Sequence, residues 1–472
     1  MKLSRRSFLQ TGSAAIVAGA APRPAWGRTE ADVVVIGAGL AGLHTAAMLE
    51  RSGASVVVLE ALQRVGGRVH TLRHLPGAPE AGAIQVGSGY TRLHRIAREL
   101  GIAMVPDSGA GAGRNSVPGN LYHVNGVTVP AAEWPRSQAN TLPPALRETE
   151  PASLLYSATA MLPQLQRAED WTQAGPELDI SLQSALVKAG VDGEALRLME
   201  ANLNGNTLAG MSQLHLARSL AVFREGAGPV STIADGADRL PEAMARQLAN
   251  PIRLGMAVTG LREEGGRVEV MTGHGAIRAR HAVCTIPFAA MRHLPLSAGI
   301  TAATARLIAD LPYTRASFAF IEASTPFWQE DGLPRTLWTD DPLIGRVFVL
   351  SDDPPMLKLW TTGRGADLLD RLPAEEAGML IAQRLARIRP SAGGRLRAAE
   401  FFSWQRSPWA RGIYHHIGAG MASDLAQTVT AQAIGTGARL HFAGEHLARA
   451  ASGMEGALES AEATATAVAR LL

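Results

Sequence analysis

The stretch from residue 33 to residue 60 constrains this chain more than any other. Val33-Val34-Val35-Ile36 is a short run of apolar, mostly β-branched residues, the pattern of a fully buried strand. Gly37-Ala38-Gly39-Leu40-Ala41-Gly42 follows at once. Leu40 to Arg51 then carries helical spacing and stops near Gly53, a suitable C-terminal glycine. Val56-Val57-Val58-Leu59 is a second strand, and Glu60 ends it. A strand, a helix and a second strand in so short a span read as a β-α-β unit, which predicts an α/β fold around a parallel, Rossmann-like sheet.

The glycines fit one task. Gly37 permits the tight turn, Gly39 lets a pyrophosphate approach the backbone, and Gly42 lets helix and strand pack closely. The helix N-terminus offers free N–H groups and partial positive charge to phosphates. Glu60 can accept hydrogen bonds from ribose hydroxyls and would repel a 2′-phosphate, which argues against NADP. The motif alone does not separate FAD from NAD.

Two later segments read as parts of the same domain. Residues 230–292 carry a helix (Leu240–Leu248), a strand (Ile252–Leu254) and hairpin-like strands at Val268–Met271 and Val283–Ile286. Residues 437–472 carry a strand (Leu440–Ala443), a glycine turn and an alanine-rich helix to Leu472. The expected division is a dinucleotide-binding domain of 30–105, 230–292 and 398–472, interleaved with a discontinuous α+β substrate-binding domain of 106–229 and 293–397. Gly109-Ala110-Gly111-Ala112-Gly113 lacks a following Lys-Ser/Thr, so it reads as a loop that does not bind phosphate.

Residues 1–27 read as an address. Ser4-Arg5-Arg6-Ser7-Phe8-Leu9 is a twin-arginine signal, Ala14–Ala18 a mild apolar stretch, and Ala25-Trp26-Gly27 a small-residue cleavage region. The expectation is export to the periplasm or beyond, with no stable membrane anchor after cleavage. The net charge of +3 comes from that segment, since Lys2, Arg5, Arg6 and Arg23 have no acid beside them. The rest balances 41 bases against 42 acids, which gives no electrostatic case for nucleic acid. Cys284 is the only cysteine, so an internal disulfide and a cysteine-based metal site are excluded, and no metal constellation is discernible.

Arg64-Val65-Gly66-Gly67-Arg68 follows the acid directly, and with Gly37–Glu60 it resembles the flavin-containing monoamine oxidase family, which includes polyamine oxidases and L-amino-acid oxidases. The resemblance resumes at Glu80-Ala81-Gly82-Ala83, Asp235–Leu240, Val258, Thr285-Ile286-Pro287, Pro326-Phe327-Trp328, Phe442-Ala443-Gly444-Glu445 and Gly453-Met454-Glu455-Gly456-Ala457. It implies FAD, held non-covalently here because Ile413 stands where some members place the linking cysteine and Cys284 is the only cysteine. It also implies that Ala61 and Gly67 lie with Glu60 against the cofactor, that Arg68 reaches the pyrophosphate, and that the Val258 backbone contacts adenine. Gly444 and Glu445 would hold the ribityl or phosphate region. The helix opening near Met454 would point its positive end at the flavin's N1–C2=O edge.

Trp404 and Tyr414 stand ten residues apart, as the aromatic wall beside the flavin does in that family. Trp409 lies between them, and ordinary core packing is an equal reading of it. His415 and His416 follow, one of them a candidate for tuning substrate protonation, the other a structural histidine. Three departures stand out. Ile413 replaces the cysteine that some members bond to FAD. Gly453 stands where the family has a second cage aromatic, so the pocket is more open there or filled from elsewhere. The family's lysine about ten residues before Pro-Phe-Trp is missing, since the only lysines are Lys2, Lys188 and Lys358. That loss points to a poor reaction with O2 and to a periplasmic electron carrier, an inference that Lys358 entering the site from another strand would weaken.

Gln85 occupies the slot where L-amino-acid oxidases of the family often have a carboxylate-binding arginine, so an amine without an α-carboxylate is favoured. Arg92, Arg315 and Arg411 are alternative cations that keep amino acids open. The expected chemistry is FAD-dependent oxidation of an amine C–N bond to an imine, with Trp404, Tyr414 and Gln85 at the reacting end and a small-molecule amine as partner. A homodimer is a further candidate partner. The alternatives are an L-amino-acid oxidase, a C–C desaturase of a hydrophobic substrate, and a non-catalytic exported flavoprotein.

Overall fold

A computed structural model describes residues 30–107, 117–434 and 438–472. The expected twin-arginine segment and the Gly109–Gly113 loop lie outside the described residues. No helix among the described residues is long and apolar enough to cross a membrane.

Two seven-stranded sheets organise the chain. In the first, Glu30–Ile36 lies between Val56–Leu59 and Gly275–Cys284 and runs parallel to both. Leu440–Phe442 adds a parallel strand beside the end of Gly275–Cys284. The apolar Val33–Ile36 run is buried on both faces, which is why it reads as continuous rather than alternating. The helices Leu40–Arg51 and Gly453–Ala469 pack on each other over one of those faces.

This sheet is mixed, not purely parallel. Val258–Glu264, Arg267–Thr272 and Gly275–Cys284 form an antiparallel meander, and Leu296–Ser297 closes its edge. The tight turn at Gly265 and Gly266, both with positive φ, makes the first hairpin. The expected strand at Ile252–Leu254 is no strand: Arg253 makes a single bridge to Leu59. The sequence offers only three residues there before Gly255 turns the chain. The expected helix at Leu240–Leu248 runs over Arg239–Arg246.

The second sheet has the strand order Leu396–Ser403, Ala316–Ala323, Pro355–Thr362, Arg346–Asp352, Pro334–Thr339, Val117–Val124, Val127–Pro130. Its register sets Phe402 opposite Phe318, Phe318 opposite Trp360, Trp360 opposite Arg346, Arg346 opposite Trp338, and Trp338 opposite Tyr122. Directly opposed residues point to the same face, so these six form one cross-strand row. Lys358, two residues before Trp360, emerges on the same side. The helix Ala374–Ile388 packs its apolar stripe on the other side, against the Leu396–Ser403 strand. A separate two-stranded ribbon, Met104–Pro106 with Ser231–Ile233, joins the two parts of the chain near the first sheet.

Candidate active site

One cavity of about 1010 Å³ runs from the glycine turn of the first sheet to the aromatic row of the second. Of the residues singled out in the sequence, Gly37, Gly39, Glu60, Ala61, Gly67, Arg68, Val258, Gly444, Glu445, Met454, Gln85, Trp404 and Tyr414 all line it. Gly42 does not. It sits behind the turn, where a β-carbon would come within 1.9 Å of the Gly37 carbonyl oxygen, so it serves helix–strand approach.

The first-sheet end fits a dinucleotide. Gly37 has φ +104°, and a β-carbon there would strike the Thr285 hydroxyl at 2.5 Å. A β-carbon on Gly39 would meet nothing nearer than the Gly66 carbonyl at 3.9 Å, so that face is open to the cavity. Neither Gly39, at the start of Leu40–Arg51, nor Ser452, at the start of Gly453–Ala469, caps its helix with a side chain. Both helix starts therefore present backbone N–H groups where anionic or electron-rich ligand atoms would lie. The Glu60 carboxylate accepts from the Ala38 and Leu62 amides at 2.7 and 2.9 Å, which fixes it at the cavity wall. Burial pushes its pKa up.

Glu445 is the charge centre of the middle section. Arg68 Nη1 donates to its Oε1 at 2.8 Å, His415 Nδ1 lies 2.6 Å from its Oε2, and the His415 amide donates to Oε1 at 3.2 Å. Burial opposes ionisation of this carboxyl. The facing His415 and Arg68 outweigh it and hold the group well below the usual carboxylate range. Arg68 Nη1 also donates to the Ile413 carbonyl at 3.1 Å, so its direction is set from two sides.

At the second-sheet end, Trp404 is buried, donates Nε1–H to the Ala81 carbonyl at 2.6 Å and packs edge-on against Phe402. Tyr414 lines the cavity, and burial drives its hydroxyl up to about 12. Trp409 stands exposed at the rim, so the core-packing reading of it does not hold. Gln85 is exposed and donates to Asp107 Oδ2 at 2.7 Å. The alternative cations fall elsewhere. Arg92 pairs with Glu455 and Glu462, while Arg315 and Arg411 line a separate small pocket. His416 is buried off the cavity against Thr314 Oγ1, and burial keeps it neutral down to about 3, so it tunes no substrate proton. His415 is committed to Glu445.

Four residues that sequence reasoning missed or set aside belong to the wall. Lys358 lines the cavity, with Nζ donating to the Glu80 carbonyl at 2.6 Å and sitting 4.3 Å over the Phe318 ring. Phe318 lies in the very stretch where the family's lysine was expected, so an ammonium reaches that location from the neighbouring strand. Trp360 and Arg346 line it too. Tyr90 stands beside Gly453 (its hydroxyl 3.1 Å from where a β-carbon would be) and fills the side that the missing aromatic leaves. The available signal was the alternation in Pro355–Thr362, which puts Lys358 and Trp360 on one face. Among the described residues no cluster of His, Cys, Asp and Glu could hold a metal ion.

Comparison with known proteins agrees with this geometry. The family model described as flavin containing amine oxidoreductase matches residues 40–469. A flavin-dependent L-tryptophan oxidase of Lentzea aerocolonigenes is 27% identical, over 93% of this chain and 98% of its own. An L-amino acid dehydrogenase of Synechocystis is 25% identical over 93% and 95%, and a putative flavin-containing monoamine oxidase of Mycobacterium tuberculosis is 28% identical over 76% and 78%. Among solved structures, putrescine oxidase bound to putrescine superposes with a TM-score of 0.72 at 22% identity, covering 93% of this chain and 98% of that one. Cyclohexylamine oxidase of Brevibacterium oxydans gives 0.71 at 22%, covering 93% and 99%. The protein is a FAD-dependent enzyme, and its chain belongs to the flavin-containing amine oxidoreductase family.

Proposed function

We propose that the protein oxidises the C–N bond of a small amine to an imine, with non-covalently held FAD as the immediate electron acceptor. One observation carries the reading: a single cavity connects the glycine turn, Glu60 and Arg68 to a buried aromatic wall containing Trp404 and Tyr414. Bound FAD supplies hydride acceptance. The residues do the rest by holding and orienting. Glu60 takes ribose hydroxyls. Arg68, aimed by Glu445, meets the diphosphate. The start of Gly453–Ala469 would offer its uncapped backbone N–H groups to negative charge on the bound cofactor. Trp404, locked to Ala81, and Tyr414 confine the substrate and exclude water.

Non-covalent attachment is favoured because Ile413 lines the cavity where a linking cysteine would stand, while Cys284 is fully buried away from it. Lys358 bears on the final acceptor. With an ammonium beside Phe318, the reason for expecting a poor reaction with O2 is gone, and O2 becomes the favoured acceptor. Export through the twin-arginine segment remains our reading of residues 1–27 and would place this chemistry outside the cytoplasm.

The test is anaerobic stopped-flow bleaching of the flavin against a panel of amines and amino acids, then mixing with aerated buffer. Bleaching by at least one panel member, followed by fast recovery in air, is the expected result. A flavin that no member reduces would overturn the reading and favour the C–C desaturase.

A further inference from the structure

The substrate half of the cavity has an unusual charge balance. Glu60 and Glu445 are the only acids lining the whole cavity among the described residues. Both lie at the cofactor half, and Glu445 is already bound by Arg68 and His415. Along the row of the second sheet there are two cations, Lys358 and Arg346, and no anion. A second positive charge on a diamine would be repelled there.

Arg346 has no counter-charge of its own. It lies between Trp360 and Trp338 in the cross-strand row, with its guanidinium 4.7 Å over the Trp360 ring. Nη2 donates to Asn204 Oδ1 at 2.8 Å. Nε is buried without any acceptor, and among the described residues no carboxylate lies within ion-pairing distance. The Trp360 Nε1–H is likewise buried without an acceptor. Stacking on an aromatic face attracts a guanidinium but does not neutralise it, and arginine does not shed its proton to escape the cost. Burial works against this charge. A half-buried, planar donor fork facing a substrate half without anions is what a carboxylate requires.

We propose that Arg346 receives the carboxylate of the substrate, so that the amine oxidised at this site is an amino acid, held with its apolar part along the Phe318–Trp360–Trp338 row. The proposal rests on the amine-oxidising reading above. It also reverses the preference drawn from Gln85: the cation absent from that slot is supplied by a different strand, on the opposite side of the chain's sequence. Tyr414 and Trp404 line the same cavity as Arg346, so the carboxylate receptor and the aromatic wall of the reacting end share one space.

The test separates binding from turnover. Saturable binding of 3-phenylpropionate and of its neutral amide to the FAD-loaded enzyme is followed by calorimetry, alongside flavin bleaching by L-phenylalanine and by phenethylamine. We expect the acid to bind at least ten times more tightly than the amide, and L-phenylalanine to bleach with the higher kcat/KM. In Arg346→Gln the preference for acid over amide disappears, with FAD content and flavin spectrum unchanged. Should Arg346→Gln lose FAD, Arg346→Lys, which keeps the charge but not the fork, shrinks the same preference. Equal binding of acid and amide by the wild type, or a preference that survives Arg346→Gln, overturns the proposal. If no amine or amino acid bleaches the flavin, the parent reading fails, while the binding comparison still decides whether Arg346 is a carboxylate receptor.

Discussion

Tyr90 and Gly453 share one site on the cavity wall: a β-carbon on Gly453 would stand 3.1 Å from the Tyr90 hydroxyl. Gly453 is also at φ +55°, a conformation that side chains adopt at a cost of roughly 1–3 kcal/mol. The wall is thus built from the chain before the helix Thr91–Glu99 instead of from the turn that opens Gly453–Ala469. Gly453→Ala should lower the melting temperature through that strain while FAD remains bound. Tyr90→Ala should open the wall, raise KM for small substrates several-fold and admit bulkier ones. Steady-state kinetics over substrates of increasing width would check this, and an unchanged size preference would count against Tyr90 as a wall.

The Glu445 carboxylate joins Arg68 to His415, so removing its charge strands a partly buried guanidinium. Breaking such a buried pair costs about 3–5 kcal/mol. Glu445→Gln should therefore lose much of that stability and retain FAD poorly, because Arg68 is no longer aimed. The checks are the denaturation midpoint of the apoprotein and the flavin-to-protein ratio after gel filtration.

Acid should weaken the protein earlier than its carboxylates alone would. His416 and His446 are held neutral down to about 3, each by burial, against an ordinary value of 6.5. The unfolded chain takes up protons on both as pH falls below 6.5, while the folded chain does not until about 3. Their contribution is thus complete above 6.5 and drains away between 6.5 and 3. Glu445, depressed below its ordinary 4.5, adds a loss that begins only below that value. Midpoints measured from pH 7.5 to 4 should decline from about 6.5 downward, and His446→Leu should flatten the upper part of that decline.

The two halves of the site were unequally legible in the sequence. Gly37 to Arg68 is local: turn, helix start and acid lie within about thirty residues, and each residue type has its own physical reason. The second half is assembled by register. Arg346, Lys358, Trp360 and Phe318 come from three antiparallel strands, and only their pairing puts them in one row. Lys358 illustrates the limit. The two-residue period of a strand puts it on the face of Trp360, but does not tell that the neighbouring strand sets Phe318 beneath its ammonium. Tyr90 is similar, a residue before a short helix that nothing local marks as part of the wall.

Treating the holoenzyme with acid or denaturant should release all the flavin into the supernatant. Cys284 is fully buried, packs its sulfur 3.6 Å from that of Met291, and has its thiol pushed up to about 12 by burial. It is both out of reach and poorly ionised, and the chain has no other cysteine. Flavin absorbance that stayed with the precipitated protein would mean attachment through another residue type.

Lys358 gives the sharpest kinetic expectation. Burial lowers its ammonium to about 8, with Glu80 pulling weakly the other way. At neutral pH it is mostly protonated, and it loses its charge as pH rises through 8. If O2 is the acceptor, as proposed, a positive charge beside it would stabilise the negative charge that develops there. Reoxidation in air should therefore be fast below pH 8 and fall above it. Lys358→Met should slow reoxidation by roughly 10²-fold, the order expected for removing one oriented charge from a dry site, and erase the limb near pH 8. The anaerobic reductive half-reaction should change far less. Stopped-flow measurement of the two half-reactions between pH 6 and 9.5 separates these effects. A variant that reoxidises as fast as the wild type at every pH would remove Lys358 from the oxygen reaction and return an electron carrier as the leading acceptor.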